Sequence, residues 1–461
     1  MTKTPGFNRV LIANRGEIAL RAIRVCHQLG LEVVAVYSTA DAVSPHVWAA
    51  DRAVCIGPPS ASASYLSIPS LIHVAIETGC DAVYPGYGFI AENADFAEQC
   101  AKQGIKFIGP SVEAISVMGD KSKARELANR HGVPVVPGSD GAYLELEAAL
   151  EASAEIGYPM LLKARSGGGG RGMRVVNKPS EFASAFSQAS REAEAAFADG
   201  AVYMERFFAT VRHIEVQVLG DGKGGAVVFD ERDCSVQRRH QKLVEESPSP
   251  VVTPELRQRL LDAARQLTSG ICYEGAGTVE FILSEKTGEF FFIEMNTRIQ
   301  VEHPVTEMRA GVDLVRAQFE IAADKPLAEL DISNGPGGHT IEFRINAEDW
   351  QNDFQPTPGI LSRWRPPTGK GIRLDSSVFE GQRITPFYDS MIAKLIIHGS
   401  SRDDALHKAR DALARFDCQG ISTTIGFHRN LLHDPAFIDN AVHTRWIETE
   451  WSADNGLEAT A

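Results

Sequence analysis

The segment GTVEFILSEKTGEFFFIEMNTRIQVEH, residues 277–303, contains two apolar runs separated by a short turn, and it ends in a series of polar residues. A three-residue loop at 286–288, with Gly288 in the left-handed conformation, predicts a β-hairpin across these runs. This register places Glu280 opposite Glu294. Directly opposed carboxylates, about 5 Å apart at Cβ, repel each other unless a cation or a proton lies between them. Two simpler interpretations stay open, because one glutamate could face solvent or the register could slip by one residue.

An amide side chain adds a third oxygen ligand to this pair. Asn296 lies two residues beyond Glu294, on the same face of the predicted hairpin. Two carboxylates and an amide oxygen are hard ligands of the kind that Mg2+ takes alongside substrate phosphates. Glu280, Glu294 and Asn296 are therefore the candidate metal ligands, for Mg2+ or Mn2+.

Two further segments have the composition of phosphate-binding elements. MLLKARSGGGGRGM, residues 160–173, is an apolar strand carrying Lys163, followed by a glycine tract. Backbone N–H groups in such a tract can surround phosphate oxygens, although the P-loop pattern is absent and a flexible linker is the alternative. DERDCSVQRRHQKLVEE, residues 230–246, is a basic loop that is either a solvated face or an anion site. Together with the carboxylate pair, these segments predict phosphoryl transfer from a nucleotide.

Composition narrows the class of protein. The 461 residues carry a net charge of −14, which argues against a general nucleic-acid surface. Seven scattered cysteines without a C-x-x-C pair suit a reducing compartment. The sequence has no apolar signal region at its N-terminus and no apolar stretch of about 20 residues, so we expect a cytoplasmic protein without a membrane segment.

Strands and helices alternate over residues 9–110, as in RVLIA, EVVAVYS and DAVYP, which predicts a doubly wound parallel sheet. ANRGEIA after the first strand offers one glycine in place of G-x-G-x-x-G, so NAD or FAD binding is not expected. Strands dominate again from about 338 to 398. The predicted fold class is mixed α/β and α+β.

A series of long motifs resembles the biotin carboxylase subunit of bacterial acyl-CoA carboxylases, an ATP-grasp family. IANRGEIA, PGYGF, MGDK, GGGGRGM, RHIEVQVL, ERDCSVQRRHQK, EMNTRIQVEHPVTE and RINAED occur in the family's order over nearly the whole chain. The resemblance implies that ATP phosphorylates bicarbonate to carboxyphosphate, which breaks down to carbon dioxide and phosphate. Biotin, deprotonated at its ureido nitrogen, is then carboxylated.

The resemblance also implies roles for individual residues. Glu302 would be the base that removes the bicarbonate proton, and Arg344 would stabilise the enolate oxygen of biotin. Arg344 could alternatively be a strand arginine paired with Glu342 or Glu348. Residues around bicarbonate would be Lys242, Arg298, Gln300 and Val301. Residues at the nucleotide would be Lys121, Lys163, Gly168, Gly169, Gly170, Glu205, Phe208, His213, Gln237 and His240.

The implied architecture has three domains. Residues 1–117 would form a Rossmann-like N-terminal domain and 118–330 an ATP-grasp domain, in which 139–206 is a mobile glycine-rich lid. Residues 331–450 would form a mostly antiparallel C-terminal domain, followed by a flexible tail at 451–461.

The expected partners are a biotin carboxyl carrier protein, because no A-M-K-M carrier motif is present, carboxyltransferase subunits, and a second copy of the chain in a homodimer. The acceptor could be acetyl-CoA, propionyl-CoA, pyruvate or urea. The alternatives are an ATP-grasp ligase that joins a carboxylate to an amine, and a silent regulatory subunit. Five positions depart from the family pattern and leave the biotin pocket and the lid in question: Tyr84, Ala91, Arg165, Ser166 and Arg206.

Overall fold

The computed structural model describes residues 6–165, 173–197, 199–332 and 335–452. Gly168, Gly169, Gly170 and Ser166, and nearly all of the predicted tail, lie outside these ranges. Among the described residues, no helix has both the length and the apolarity to cross a bilayer.

The N-terminal region contains a five-stranded parallel sheet in the order β3-β2-β1-β4-β5, with helices between the strands. This confirms the alternation predicted from the sequence. Its strands are β1 (Arg9–Ile12), β2 (Glu32–Ser38), β3 (Arg52–Gly57), β4 (Ala82–Tyr84) and β5 (Lys106–Phe107). Its helices are α1 (Gly16–Gln28), α2 (Pro45–Ala49), α3 (Ile68–Glu77), α4 (Ala94–Lys102) and α5 (Val112–Gly119), with 3-10 turns at Thr39–Asp41 and Ala61–Ala63.

A small three-stranded sheet follows, in the order β7-β6-β8, with its own apolar core against two helices. Its elements, with the helix that precedes them, are α6 (Lys121–Arg130), α7 (Leu146–Ile156), β6 (Met160–Ala164), β7 (Arg174–Val176), α8 (Pro179–Phe197) and β8 (Val202–Arg206). β6 is antiparallel to both of its neighbours.

A nine-stranded sheet spans the rest of the molecule, in the order β14-β13-β9-β11-β12-β15-β22-β20, with β10 paired to β9. Its first part contains β9 (Arg212–Asp221), β10 (Ala226–Val228), β11 (Arg232–Arg238), β12 (Gln241–Ser247), α9 (Pro254–Gly270), β13 (Glu274–Ser284), β14 (Glu289–Asn296), α10 (His303–Ala310) and α11 (Leu314–Ala322), with a 3-10 turn at Leu327–Glu329. β12 pairs antiparallel with β15 (His339–Asn346), so the C-terminal strands continue the central sheet.

The remaining C-terminal elements surround the far end of this sheet. They are β16 (Glu348–Asp349), β17 (Gln355–Pro356), β18 (Gly359–Ile360), β19 (Arg363–Arg365), β20 (Ile372–Ser376), β21 (Arg383–Ile384), β22 (Met391–Gly399), α12 (Arg402–Arg415), β23 (Asp417–Gln419), α13 (Ile425–Leu431), α14 (Pro435–Ile438) and α15 (Trp446–Thr449). The Ser401 side chain accepts a hydrogen bond from the Asp404 N–H at 3.2 Å and so caps α12.

The hairpin of β13 and β14 confirms one part of the sequence prediction and corrects another. Glu280 lies opposite Glu294, as predicted, but the turn is one residue longer, because Ser284 pairs with Glu289. The register shifts between Glu280 and Phe281, which pairs with Phe292. A β-bulge at Ile293 therefore restores the predicted pairing at the end that carries the carboxylates.

Candidate active site

A cavity of about 800 Å³ lies beside the start of β9, the turn between β11 and β12, the second half of β13 and the end of β14. All but one of the described residues that were predicted to bind substrate, nucleotide or metal line this cavity. The exception is Glu302, which is fully buried. The lining residues are Lys121, Lys163, Glu205, Phe208, His213, Gln237, His240, Lys242, Glu280, Glu294, Asn296, Arg298, Gln300, Val301 and Arg344. Residues separated by more than 200 positions in sequence are thus brought to one site.

Glu280 and Glu294 occupy one wall of the cavity. Glu280 accepts a hydrogen bond from Gln300 Nε2 at 2.8 Å, and its carboxylate lies 3.1 Å from His213 Nε2. Burial would raise the pKa of Glu280, but Lys242 and His213 lower it well below its usual range. Burial and the neighbouring Glu280 raise the pKa of Glu294. The pair therefore has the mutual repulsion that a cation between the two carboxylates would relieve.

The donor set fits a hard divalent cation. Asn296 Oδ1 accepts a hydrogen bond from Arg298 at 2.9 Å, while Asn296 Nδ2 is buried without a hydrogen-bond partner among the described residues. Two carboxylates and this amide oxygen are ligands that Mg2+ or Mn2+ accepts. A different grouping able to hold an ion consists of His213, Glu215 and Glu280, of which one nitrogen and two oxygen atoms lie within 4.8 Å of one another.

Lys242 connects the candidate metal ligands to the candidate base. Its Nζ donates to Glu215 at 2.7 Å, to Glu280 at 3.2 Å and also to Glu302. Burial opposes the charge on Lys242, but the acidic groups around it, including Cys234, Glu215 and Glu280, raise its pKa well above the usual range. The lysine is therefore a stable cation at the centre of the site.

Glu302 lies between two cations. Its second oxygen, Oε2, accepts a hydrogen bond from Arg344 at 3.0 Å. Burial raises the pKa of Glu302, and Lys242 and Arg344 outweigh burial and lower that pKa well below its usual range. Glu302 is thus an ionised carboxylate held between Lys242 and Arg344.

Arg344 projects from β15 into the cavity. Its Nε donates to Glu245 at 2.6 Å. Among the described residues, its ion pairs are with Glu245 and Glu302. The alternative interpretation, in which this arginine pairs with Glu342 or Glu348, is therefore wrong.

Arg298 lies on the loop after β14 and donates hydrogen bonds to four neighbours, one of them the Ile299 carbonyl at 3.3 Å. Its guanidinium donates to Glu92 at 2.9 Å, to Gln300 at 3.1 Å and to Asn296. The Val301 carbonyl accepts from Lys394 Nζ at 2.8 Å. These contacts hold the loop in place and keep the Arg298 guanidinium at the cavity wall.

Four of the nucleotide candidates come from the small sheet and the chain next to it: Lys121, Lys163, Glu205 and Phe208. Lys121 begins α6, and Lys163 on β6 forms an ion pair with Glu205. Glu205 also accepts from Arg125 at 2.8 Å. The ring of Phe208 stacks on Phe291 with a centroid separation of 5.3 Å. Two lysines and an aromatic platform therefore face the same space.

The departures from the family pattern have different locations. Tyr84 is buried in the N-terminal core, where it stacks on Phe319 and donates to Gln318 at 3.1 Å, and it does not line the cavity. Ala91 is buried as well. On the side of the small sheet, Arg165 pairs with Asp199 at 2.9 Å, and the Arg206 guanidinium lies 5.5 Å from the Phe208 ring centroid.

Sequence reasoning missed four residues of the site. Glu215 is fully buried on β9 and binds both Lys242 and Arg232. Arg232 is also fully buried and donates to Thr306 at 2.9 Å. Glu245 accepts a hydrogen bond from Arg344, and Glu92 accepts one from Arg298. A charged residue within an apolar run could have indicated Glu215, in RHIEVQVL, and Glu245, in KLVEE.

Comparisons with known proteins agree with this geometry. The chain matches the profiles for the biotin carboxylase N-terminal domain at residues 6–115, the carbamoyl-phosphate synthase L chain ATP binding domain at 120–330 and the biotin carboxylase C-terminal domain at 342–449. It is 49% identical to the biotin carboxylase of Nostoc sp. over 96% of this chain and 99% of the relative.

Solved structures give the same result. A biotin carboxylase from Campylobacter jejuni, solved as a beta-gamma-ATP complex, superposes with a TM-score of 0.90 at 46% identity, covering 96% of this chain and 98% of that one. The biotin carboxylase domain dimer of Hydrogenobacter thermophilus 2-oxoglutarate carboxylase, solved with MgADP, ADP and bicarbonate, gives a TM-score of 0.89 at 45% identity, covering 97% and 98%.

Proposed function

The chain belongs to the biotin carboxylase family of ATP-grasp ligases, and from that premise we propose that it carries out the first half-reaction of an acetyl-CoA or related carboxylase. In this reaction, ATP and bicarbonate carboxylate biotin on a carrier protein through carboxyphosphate. The observation that carries the proposal is the position of Glu302, an ionised carboxylate between Lys242 and Arg344. A base flanked by two cations suits an anionic substrate, because the cations hold bicarbonate beside the group that removes its proton.

Bicarbonate activation uses the cationic half of the cavity. Lys242 and Arg298 hold bicarbonate with Gln300 and Val301, and Glu302 accepts its proton. The O–H bond breaks, the freed oxygen attacks the γ-phosphorus of ATP, and ADP leaves. Lys121 and Lys163 neutralise the phosphates. Glu280, Glu294 and Asn296 would hold Mg2+ or Mn2+, which would supply positive charge to offset the charge of the phosphates.

Transfer to biotin depends on Arg344. The ureido oxygen of biotin gains negative charge when its ring nitrogen loses a proton, and the Arg344 guanidinium lies at the cavity wall to stabilise that charge. Glu245 and Glu302 fix the orientation of the guanidinium from behind. The interaction strengthens as charge develops, so it favours the transition state over bound biotin.

The assembly around this activity is also proposed. A biotin carboxyl carrier protein brings the substrate, carboxyltransferase subunits use the product, and two copies of the chain form a homodimer in the cytoplasm. The Hydrogenobacter relative, described as a domain dimer, supports the homodimer. That relative belongs to a 2-oxoglutarate carboxylase, so an acceptor other than acetyl-CoA is the second candidate.

The domain division follows the same premise. We propose boundaries at 1–117, 118–330 and 331–450, with 139–206 as the lid. The three matched profiles, which begin and end near these positions, support the division.

Measurement of ATP cleavage with and without free biotin tests the function. We expect ADP formation to require bicarbonate and to increase when biotin is added, with carboxybiotin as a product. ADP formation that needs an amine instead of bicarbonate would identify a carboxylate-amine ligase and overturn the proposal.

A further inference from the structure

A second cavity, of about 440 Å³, adjoins the active-site cavity. We call it the side cavity. Its walls come from the β1–α1 turn, the segment around residues 40–44, and the chain from 377 to 392. It shares six lining residues with the active-site cavity: Tyr87, Gly88, Val301, Arg344, Asp389 and Met391. The two spaces therefore meet at Arg344.

The junction lies at the biotin end of the active site. Lys121, Lys163 and Glu205, three of the nucleotide candidates, line the active-site cavity and not the side cavity. A molecule that extends from Arg344 into the side cavity would thus leave the phosphate-binding region free. A volume of this size falls within the range of about 300–1,000 Å³ that is typical of small-ligand sites.

Two of the charged residues that line the side cavity, Arg15 and Asp41, are paired with each other. Two nitrogen atoms of Arg15 each lie 2.7 Å from an oxygen of Asp41, and the Arg15 guanidinium lies 4.2 Å from the ring centroid of Tyr388. Tyr65 and Ser44 also donate to Asp41 at 2.7 and 3.2 Å. The Arg15–Asp41 pair therefore offers little free charge to a phosphate or a carboxylate. The other charged residues of the lining are two arginines, Arg344 and Arg383, and two carboxylates, Glu17 and Asp389, so the lining has no excess of either sign and suits a neutral ligand.

Apolar side chains are exposed in the same cavity. Val43 is 54% exposed and Phe387 is 52% exposed, and both line the side cavity without lining the active-site cavity. Ile384 and Val378 continue the apolar surface inward. Exposed apolar residues at a cavity mark a site where a ligand gains free energy by covering them.

We propose that the side cavity binds the aliphatic tether of a biotinylated lysine, and that Val43 and Phe387 determine the affinity for it. Biotin is linked to a carrier through its acyl chain and a lysine side chain, which together form a neutral run of methylene groups with one amide. With the ureido ring at Arg344, this tether would pass over the apolar residues of the side cavity towards the carrier. The inference rests on the proposed function, because it assumes that biotin is the substrate.

The test uses biotinyl-lysine as the probe. Phe387→Ala removes half-exposed apolar surface, and we expect it to raise the KM for biotinyl-lysine about 3- to 10-fold while kcat stays within about twofold. Val43→Trp, which narrows the cavity at an exposed position, should raise the same KM. Ile76→Ala is the matched control, since Ile76 is 48% exposed on α3 and lines neither cavity, and its KM should equal that of the unsubstituted protein.

The outcomes separate this inference from the proposed function. If the unsubstituted protein does not carboxylate biotinyl-lysine or free biotin, the proposed function fails. If the unsubstituted protein does, and both variants keep its KM for biotinyl-lysine, the tether assignment is overturned. A fall in kcat without a change in KM overturns it too, because a tether site contributes to binding. Thermal melting of each variant verifies that it is folded.

Discussion

Replacing Arg344 with alanine separates the two chemical steps of the proposed reaction. The guanidinium contacts Glu245 at 2.6 Å and Glu302 at 3.0 Å and lines the cavity. A preorganised donor that stabilises a developing oxyanion contributes about 100- to 1,000-fold to the rate. We therefore expect biotin carboxylation by Arg344→Ala to fall by about that factor.

Bicarbonate-dependent ATP cleavage should fall much less, by about tenfold at most. Glu302 keeps Lys242 as its hydrogen-bond partner in the variant, so it retains the cation that lowers its pKa most. The loss of one of two flanking cations raises that pKa, and an increase of one unit corresponds to about 1.4 kcal/mol. Because Lys242 still lowers the pKa of Glu302, this carboxylate remains ionised at neutral pH.

Removing the Arg344 guanidinium also leaves the buried Glu245 carboxylate without its cation, which costs about 3 kcal/mol of folding stability. Both activities are therefore measured well below the melting temperature, with radiolabelled bicarbonate for carboxybiotin and a coupled assay for ADP. Arg316→Ala is the control, because Arg316 forms a partly exposed pair with Glu320 on α11 and lies away from the cavity. Equal losses in carboxylation and ATP cleavage would refute a role of Arg344 that is specific to biotin.

Three further outcomes follow from the site and its surroundings. Glu294→Gln should raise the magnesium concentration needed for half-maximal activity, and an unchanged titration would contradict the paired-carboxylate site. Glu302→Gln should lower bicarbonate-dependent ATP cleavage about 100- to 10,000-fold, and a normal rate would exclude this carboxylate as the base. Burial raises the pKa of Glu246, but His339 and Arg402 lower it to about 2. Its ionised form therefore stabilises the fold above the ordinary value of 4.5, and this stability is lost as the pH falls from 4.5 to about 2. Glu246→Gln should flatten the unfolding free energy across that window in denaturant titrations, and an unchanged slope would contradict the lowered pKa.

The carboxylate pair was predictable from the sequence, although its turn was not. The predicted three-residue loop gives the correct partner for Glu280 only because two errors cancel. The observed turn is one residue longer than predicted, and Ile293 is an unpaired extra residue in β14 that shifts the register back. The bulge lies where Phe292 donates its N–H to the Pro134 carbonyl at 2.7 Å, on the other edge of the strand. Such a tertiary contact leaves no local signal in the hairpin sequence.

The buried counter-charges were not predictable in the same way. Glu215 and Arg232 lie on adjacent strands in the middle of the sheet, where alternating polar residues would normally face solvent. Both are fully buried because the chain covers this face around the cavity. Glu245 opposes Glu342 on β15, a pairing that appears only once the C-terminal strands join the central sheet. The sequence motifs therefore predicted the residues proposed to contact substrates. The buried residues that hold those side chains in place could be identified only from the structure.

Bicarbonate labelled with oxygen-18 tests the central claim most directly. If Glu302 deprotonates bicarbonate and a bicarbonate oxygen attacks ATP, the product is carboxyphosphate, a mixed anhydride. When its C–O bond breaks, carbon dioxide leaves and one labelled oxygen remains on the phosphate. Mass spectrometry of the phosphate formed in a rapid reaction with free biotin should therefore show one oxygen-18 atom per molecule. Unlabelled phosphate, formed while ADP accumulates, would mean that water attacks ATP and would contradict the account.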